Sequence, residues 1–116
     1  MEERRRFVRL ETQADVAYVV LPGGTAKRTM AKDVSSSGVC LVTEQPLSAG
    51  TQLQIAMALP GSERPVNAIA EIVWSQRYEM VGKGDRQPSV EIGARFAEIA
   101  PQDQEAITQF LAASLR

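Results

Sequence analysis

The sequence predicts an all-β domain, a small antiparallel barrel or sandwich of six strands, closed by a single C-terminal helix. Three observations carry this. From Ala14 to Phe96 the apolar residues recur at every second position in short runs, the spacing of half-buried strands. Pro, Gly and Ser clusters break those runs at near-regular intervals, and closing such strands on themselves removes exposed edges. Only after Pro101 does the spacing change to three and four residues, the period of a helix.

Residues 1–13 come before the periodic pattern and are expected to form a flexible basic arm. Arg4, Arg5, Arg6 and Arg9 crowd into it, so residues 1–11 hold four Arg against three Glu while the whole chain is −1. Residues 14–116 are expected to make the folded body. Its first strand, Ala14 to Leu21, is rich in β-formers and stops at Pro22-Gly23-Gly24. A short polar strand, Ala26 to Lys32, leads to a turn over Asp33 to Gly38 and a third strand, Val39 to Thr43. In Gln52 to Leu59, the side chains Leu53, Ile55, Met57 and Leu59 share one face, and Pro60-Gly61-Ser62 turns the chain. The fifth strand places Val66, Ala68, Ala70, Ile72 and Trp74 on one face, and residues 75–88 form a polar loop. The sixth strand alternates Val90, Ile92, Ala94 and Phe96 against Glu91, Gly93 and Arg95. A helix over about 101–115 opens with Pro101 in the first helical position and Asp103 and Glu105 near its positive end. Ile107, Phe110, Leu111 and Leu115 form its apolar face, which closes a barrel end or covers a seam.

Composition narrows the chemistry. A chain of 116 residues is one domain with enough length for its own core. The balance of 13 Lys and Arg against 14 Asp and Glu argues against a general binder of nucleic-acid polymers. One cysteine, Cys40, leaves no disulfide framework or Cys-rich zinc site, and the absence of histidine removes Ser–His and Cys–His pairs. No apolar run approaches the roughly 18 residues of a spanning helix, and no signal-peptide core is present, so a cytoplasmic protein without membrane insertion is expected.

Two segments carry binding chemistry. Arg5 and Arg9, four apart, point the same way in a helical turn or an extended arm. Their guanidinium forks suit phosphate oxygens and the O6/N7 edge of guanine; a solvated basic tail has the same composition. Asp33-Val34-Ser35-Ser36-Ser37-Gly38 joins short polar side chains to a glycine, which builds a tight turn by itself. The same groups offer a carboxylate to guanine N–H donors and a hydroxyl to a phosphate oxygen.

In combination the two segments resemble the motifs of the PilZ domain family, bacterial receptors for cyclic di-GMP. That family carries Arg-x-x-x-Arg in an N-terminal arm and Asp/Asn-x-Ser-x-x-Gly in the turn before its third strand. Here they read Arg5-Arg6-Phe7-Val8-Arg9 and Asp33-Val34-Ser35-Ser36-Ser37-Gly38, in that order. Leu47-Ser48-Ala49-Gly50-Thr51, Glu71-Ile72-Val73-Trp74, Ile92-Gly93-Ala94-Arg95-Phe96 and Pro101-Gln102-Asp103 extend the resemblance over residues 4–115. It implies a six-stranded antiparallel barrel and cyclic di-GMP as ligand, with no cofactor or metal. Arg5 and Arg9 would bind phosphate and guanine edges, Asp33 a guanine Watson–Crick edge, and Ser35 a phosphate oxygen. Gly38 would allow close backbone approach or a positive φ. A basic residue at the position of Arg4 accompanies an intercalated ligand dimer in the family, whereas Arg6 reads as solvated.

Other features read as structure. Trp74 ends an alternating strand, which favours packing; a guanine-stacking role, known for an aromatic near this place in some family members, stays open. Gly82-Lys83-Gly84 lacks the context of a dinucleotide fingerprint. Glu44, Glu71 and Glu91 are surface charges unless the fold converges them, and Cys40 is a small apolar residue. The function expected is a non-enzymatic receptor that orders its arm on cyclic di-GMP and relays this to an unidentified protein partner. The alternative is a PilZ-fold interaction adaptor that binds no nucleotide. A single-stranded nucleic-acid barrel fits poorly with 5% aromatics.

Overall fold

The computed structural model describes residues 10–79 and 88–114. Six strands, β1 (Leu10–Val20), β2 (Lys27–Val34), β3 (Gly38–Thr43), β4 (Gln52–Ala58), β5 (Val66–Glu79) and β6 (Pro88–Ile99), precede one helix, α1 (Pro101–Ser114). The strands close into an antiparallel barrel in the order β1-β2-β3-β6-β5-β4. Closure decides between the two architectures left open by the alternation, in favour of the barrel.

Where alternation is unbroken, the faces follow it. Leu53, Ile55 and Met57 of β4 are buried, as are Val90, Ile92 and Ala94 of β6. They join Leu41, Ile72, Ile107 and Leu111 in one apolar core that fills the barrel. The helix packs on β5 and sends Ile107 and Leu111 into that core, so it plugs the barrel rather than covering a seam. Its first turn is held by the Ala100 carbonyl, which accepts from the Asp103 and Gln104 amides at 3.0 and 2.9 Å. Phe110 is half-buried against the core, and Leu115 lies outside the described residues.

Several boundaries differ from the sequence reading. β1 begins at Leu10, so residues 10–13, assigned to the arm, lie in a strand. β2 continues through Asp33 and Val34, which confines the turn to residues 35–37. β5 runs on to Glu79 and takes up the first part of the loop expected over 75–88. These extensions are backbone pairings that polar residues tolerate once a neighbouring strand supplies partners.

Bulges set the barrel's outer face. Leu41 pairs with Ala31 and Cys40 with Asp33, so Lys32 is an extra residue in β2. Ala94 pairs with Ile72 and Gly93 with Trp74, so Val73 is an extra residue in β5. That insertion reverses the facing expected for Trp74: instead of joining the face of Ile72, its indole lies outside, 43% exposed beside Val73 at 54%. Gly50, with φ at 92°, gives the bend into β4, where its amide donates to the Ile72 carbonyl at 2.7 Å.

Candidate functional site

The 35–37 turn is built by its own first residue. Ser35 is fully buried, and its Oγ accepts from the amides of Ser37 at 3.3 Å and Gly38 at 3.2 Å. The same oxygen lies 3.3 Å from the Gly38 carbonyl and from Ser37 Oγ, while the Ser35 amide donates to the Gly38 carbonyl at 2.9 Å. Two further bonds tie the turn to its surroundings. The Ser37 carbonyl accepts from the Phe96 amide of β6 at 2.9 Å, and the Ser36 carbonyl accepts from Gln104 Nε2 of α1 at 3.2 Å. Ser35 is therefore the internal brace of the turn, and Ser37 is its exposed hydroxyl.

Gly38 is required by close approach. Its φ is not positive; a Cβ built there would lie 2.3 Å from the Ala94 carbonyl oxygen and 3.1 Å from the Arg95 Cα. Of the two explanations for this glycine, backbone proximity is the operative one, and its object is the neighbouring strand.

Barrel closure assembles a cross-strand row from four strands. Asp33 of β2 pairs with Cys40 of β3, Cys40 with Gly93 of β6, and Gly93 with Trp74 of β5. Directly paired residues share a face, so all four belong to the outer wall. Three inter-strand gaps of about 4.8 Å separate the Asp33 and Trp74 backbones by about 14 Å. The floor between carboxylate and indole is small: Cys40 is buried, and Gly93 has no side chain. The indole lies over Gly93, where a Cβ would stand 2.2 Å from Nε1. A groove of about 750 Å³, lined by Thr12, Gln13, Met30, Lys32 and Val42 among others, adjoins the row beside the β2 bulge.

The root of the basic segment is at the same place. Leu10 pairs with Val34 and Glu11 with Asp33, so β1 enters the barrel beside the turn. Arg9 is joined covalently to Leu10; Arg4, Arg5 and Arg9 themselves lie outside the described residues, as does Gly82-Lys83-Gly84. Asp33, Ser35 and Gly38 are brought together at the end of β2, the turn and the start of β3.

The three glutamates do not converge. Glu71 accepts from Arg95 at 2.7 Å, Glu91 accepts from Lys32 at 2.5 Å, and Glu44 lies near Tyr18. Burial, with the Glu44 charge second, raises the Tyr18 hydroxyl pKa above 10.0. Among the described residues no cluster could hold a metal ion, and no helix is long and apolar enough to cross a membrane. Gly93 and Arg95 are the members of this wall that sequence reasoning did not single out. A glycine inside the alternating run 90–96 was the available signal for the first, since such a residue marks close approach by another group.

The fold is shared with solved structures. The PilZ domain of YcgR from Escherichia coli, solved with c-di-GMP, matches with a TM-score of 0.74 and 20% identity over 97% of this chain and 92% of that one. The K. pneumonia MrkH–c-di-GMP complex gives 0.74 and 18% over 99% of this chain and 53% of that one. Bacillus subtilis MotI/DgrA, described as an inhibitor of motility, gives 0.72 and 24% over 98% and 53%. The chain spans about half the length of these last two proteins. No curated protein sequence matches it. The sequence model of the PilZ domain matches residues 3–113, a span containing both polar motifs, all six strands and nearly all of α1, and the chain belongs to the PilZ domain family.

Proposed function

We propose that this PilZ domain is a non-enzymatic cytoplasmic receptor for cyclic di-GMP that relays ligand occupancy to a protein partner. Arg5 and Arg9 grip phosphates and guanine O6/N7 edges, and Arg4 supplies a further cation when the ligand binds as an intercalated dimer. Asp33 accepts from the N1–H and N2–H₂ donors of a guanine. Ser35 and Gly38 hold the turn beside it, with the Ser35 hydroxyl available to a phosphate oxygen only at the expense of its bonds within the turn. Trp74 offers the opposite end of the row as a stacking face for the second base, a role its exposure favours over packing.

The observation that carries this reading is the pairing of Leu10 with Val34. Leu10 stands one strand beyond Asp33, so four gaps of about 4.8 Å, about 19 Å in all, separate its strand from Trp74. Arg5 is five residues before Leu10; five residues extend to about 17 Å, and the arginine side chain adds about 6 Å. The basic segment can therefore reach any part of the wall from Asp33 to Trp74. Fixing it there costs conformational entropy, which charge-assisted bonds to the ligand offset. The new surface at the junction of segment and barrel is what a partner would read. Related folds solved with c-di-GMP support the choice of ligand.

Isothermal titration of the purified chain with cyclic di-GMP tests the proposal. Saturable binding is expected, with a stoichiometry that separates one ligand from an intercalated pair. Arg9→Ala should weaken it by at least tenfold, and Asp33→Ala should weaken cyclic di-GMP more than cyclic di-AMP. No binding at millimolar ligand would leave the chain as an interaction adaptor on the same fold.

A further inference from the structure

Two ion pairs flank the row from Asp33 to Trp74. Toward the 35–37 turn, Gly38, Arg95 and Glu71 are successive cross-strand partners on the outer wall, and Arg95 donates to Glu71 at 2.7 Å. On the other flank Lys32 meets Glu91 at 2.5 Å. The first pair lies against the motif: Arg95 pairs directly with its glycine, and two residues along β6 is Gly93, which carries the indole of Trp74. Arg95 and Trp74 are thus diagonal neighbours on one face, at the roughly 7–8 Å spacing within reach of long side chains.

We propose that Arg95 is a further ligand-binding residue of this wall, engaged by Glu71 in the free protein and transferred to a phosphate of the bound nucleotide. The proposal rests on the reading of the site as a cyclic di-GMP receptor. Its side chain is 56% exposed, and an exposed ion pair contributes little to stability, so exchange of one anion for another is inexpensive. A phosphate accepts the guanidinium fork bidentately, whereas Arg95 donates to Glu71 through Nη2 alone. Arg is better suited to this than the Lys32 ammonium, a point charge on the flank farther from the turn. Glu71 then acts as a negative counterpart that the ligand must displace, which lowers affinity in the wild-type chain and discriminates against ligands with too little negative charge.

Titration of the full chain and three variants with cyclic di-GMP tests this. Both side chains are partly or largely exposed, and thermal unfolding verifies that each variant is folded. Arg95→Gln should weaken binding about tenfold, and Glu71→Gln, which releases Arg95 while keeping side-chain volume, should tighten it about threefold. In the double variant the gain from Glu71→Gln should disappear. Unchanged affinity in Arg95→Gln overturns the proposal. So does a Glu71→Gln gain that persists in the Arg95→Gln background, because it would report bulk charge alone. A wild-type chain that binds no cyclic di-GMP overturns the receptor reading itself, an outcome distinct from wild-type binding that ignores residue 95.

Discussion

Replacing Gly38 with alanine adds one methyl group at the tightest backbone contact of the motif. The new Cβ would meet the Ala94 carbonyl oxygen at 2.3 Å, with the Ala94 carbonyl carbon at 3.2 Å and the Arg95 Cα at 3.1 Å. All three obstacles are main chain, so no rotamer change relieves them. β3 and β6 must separate locally by about 1 Å to restore ordinary contact. The Phe96 amide bond to the Ser37 carbonyl, now 2.9 Å, would be stretched beyond useful length. A lost bond of about 1 kcal/mol and overpacking of about 1–2 kcal/mol give a destabilisation of about 2–3 kcal/mol. For a domain of this size that corresponds to a fall in Tm of about 10 °C. Urea unfolding followed by far-ultraviolet circular dichroism measures it. A loss below about 0.5 kcal/mol would refute the argument and leave Gly38 as a requirement of the ligand alone.

Gly93→Ala makes an instructive contrast, because its new Cβ meets the Trp74 indole rather than backbone. The half-exposed ring can move, so Tm should fall much less than for Gly38→Ala, while the emission of this single tryptophan shifts and cyclic di-GMP binding weakens; an unchanged spectrum would contradict the stacked geometry. Ser35→Ala removes the acceptor for two turn amides and should cost about 1–2 kcal/mol in unfolding experiments without any ligand present, whereas a purely ligand-contacting serine would leave stability unchanged. Tyr18 has a folded-state pKa raised above 10.0, so the protonated form is favoured in the barrel. Its stabilising contribution is complete below pH 10 and is lost as pH rises through the folded value; Tyr18→Phe should flatten the alkaline fall of Tm relative to wild type.

Legibility in the sequence varied with the regularity of each element. β4 alternates without interruption, and its buried set of Leu53, Ile55 and Met57 follows from spacing alone. The helix was equally plain from Pro101 and the Ile107–Leu111 spacing. The polar motif Asp33-x-Ser35-x-x-Gly38 was readable as composition, yet its division of labour was not. Ser35 is turned inward as a brace, and Asp33 belongs to a strand rather than to the turn. Trp74 illustrates the limit most directly: extending the alternation of Val66 through Ile72 assigns it to the inner face, and one inserted residue, Val73, sends it outward.

The sequence by itself determined the local terms: strand period, turn chemistry at Ser35 to Gly38, helix start, and a basic segment preceding the first strand. These depend on neighbours within a few residues, where propensity and spacing act directly. Only the tertiary structure decided that Asp33, Cys40, Gly93 and Trp74 form one row, and that Arg95 lies between Gly38 and Glu71. Their alignment is set by cross-strand register, and register here is fixed by bulges that let the twisted strands of a closed barrel meet in pairs.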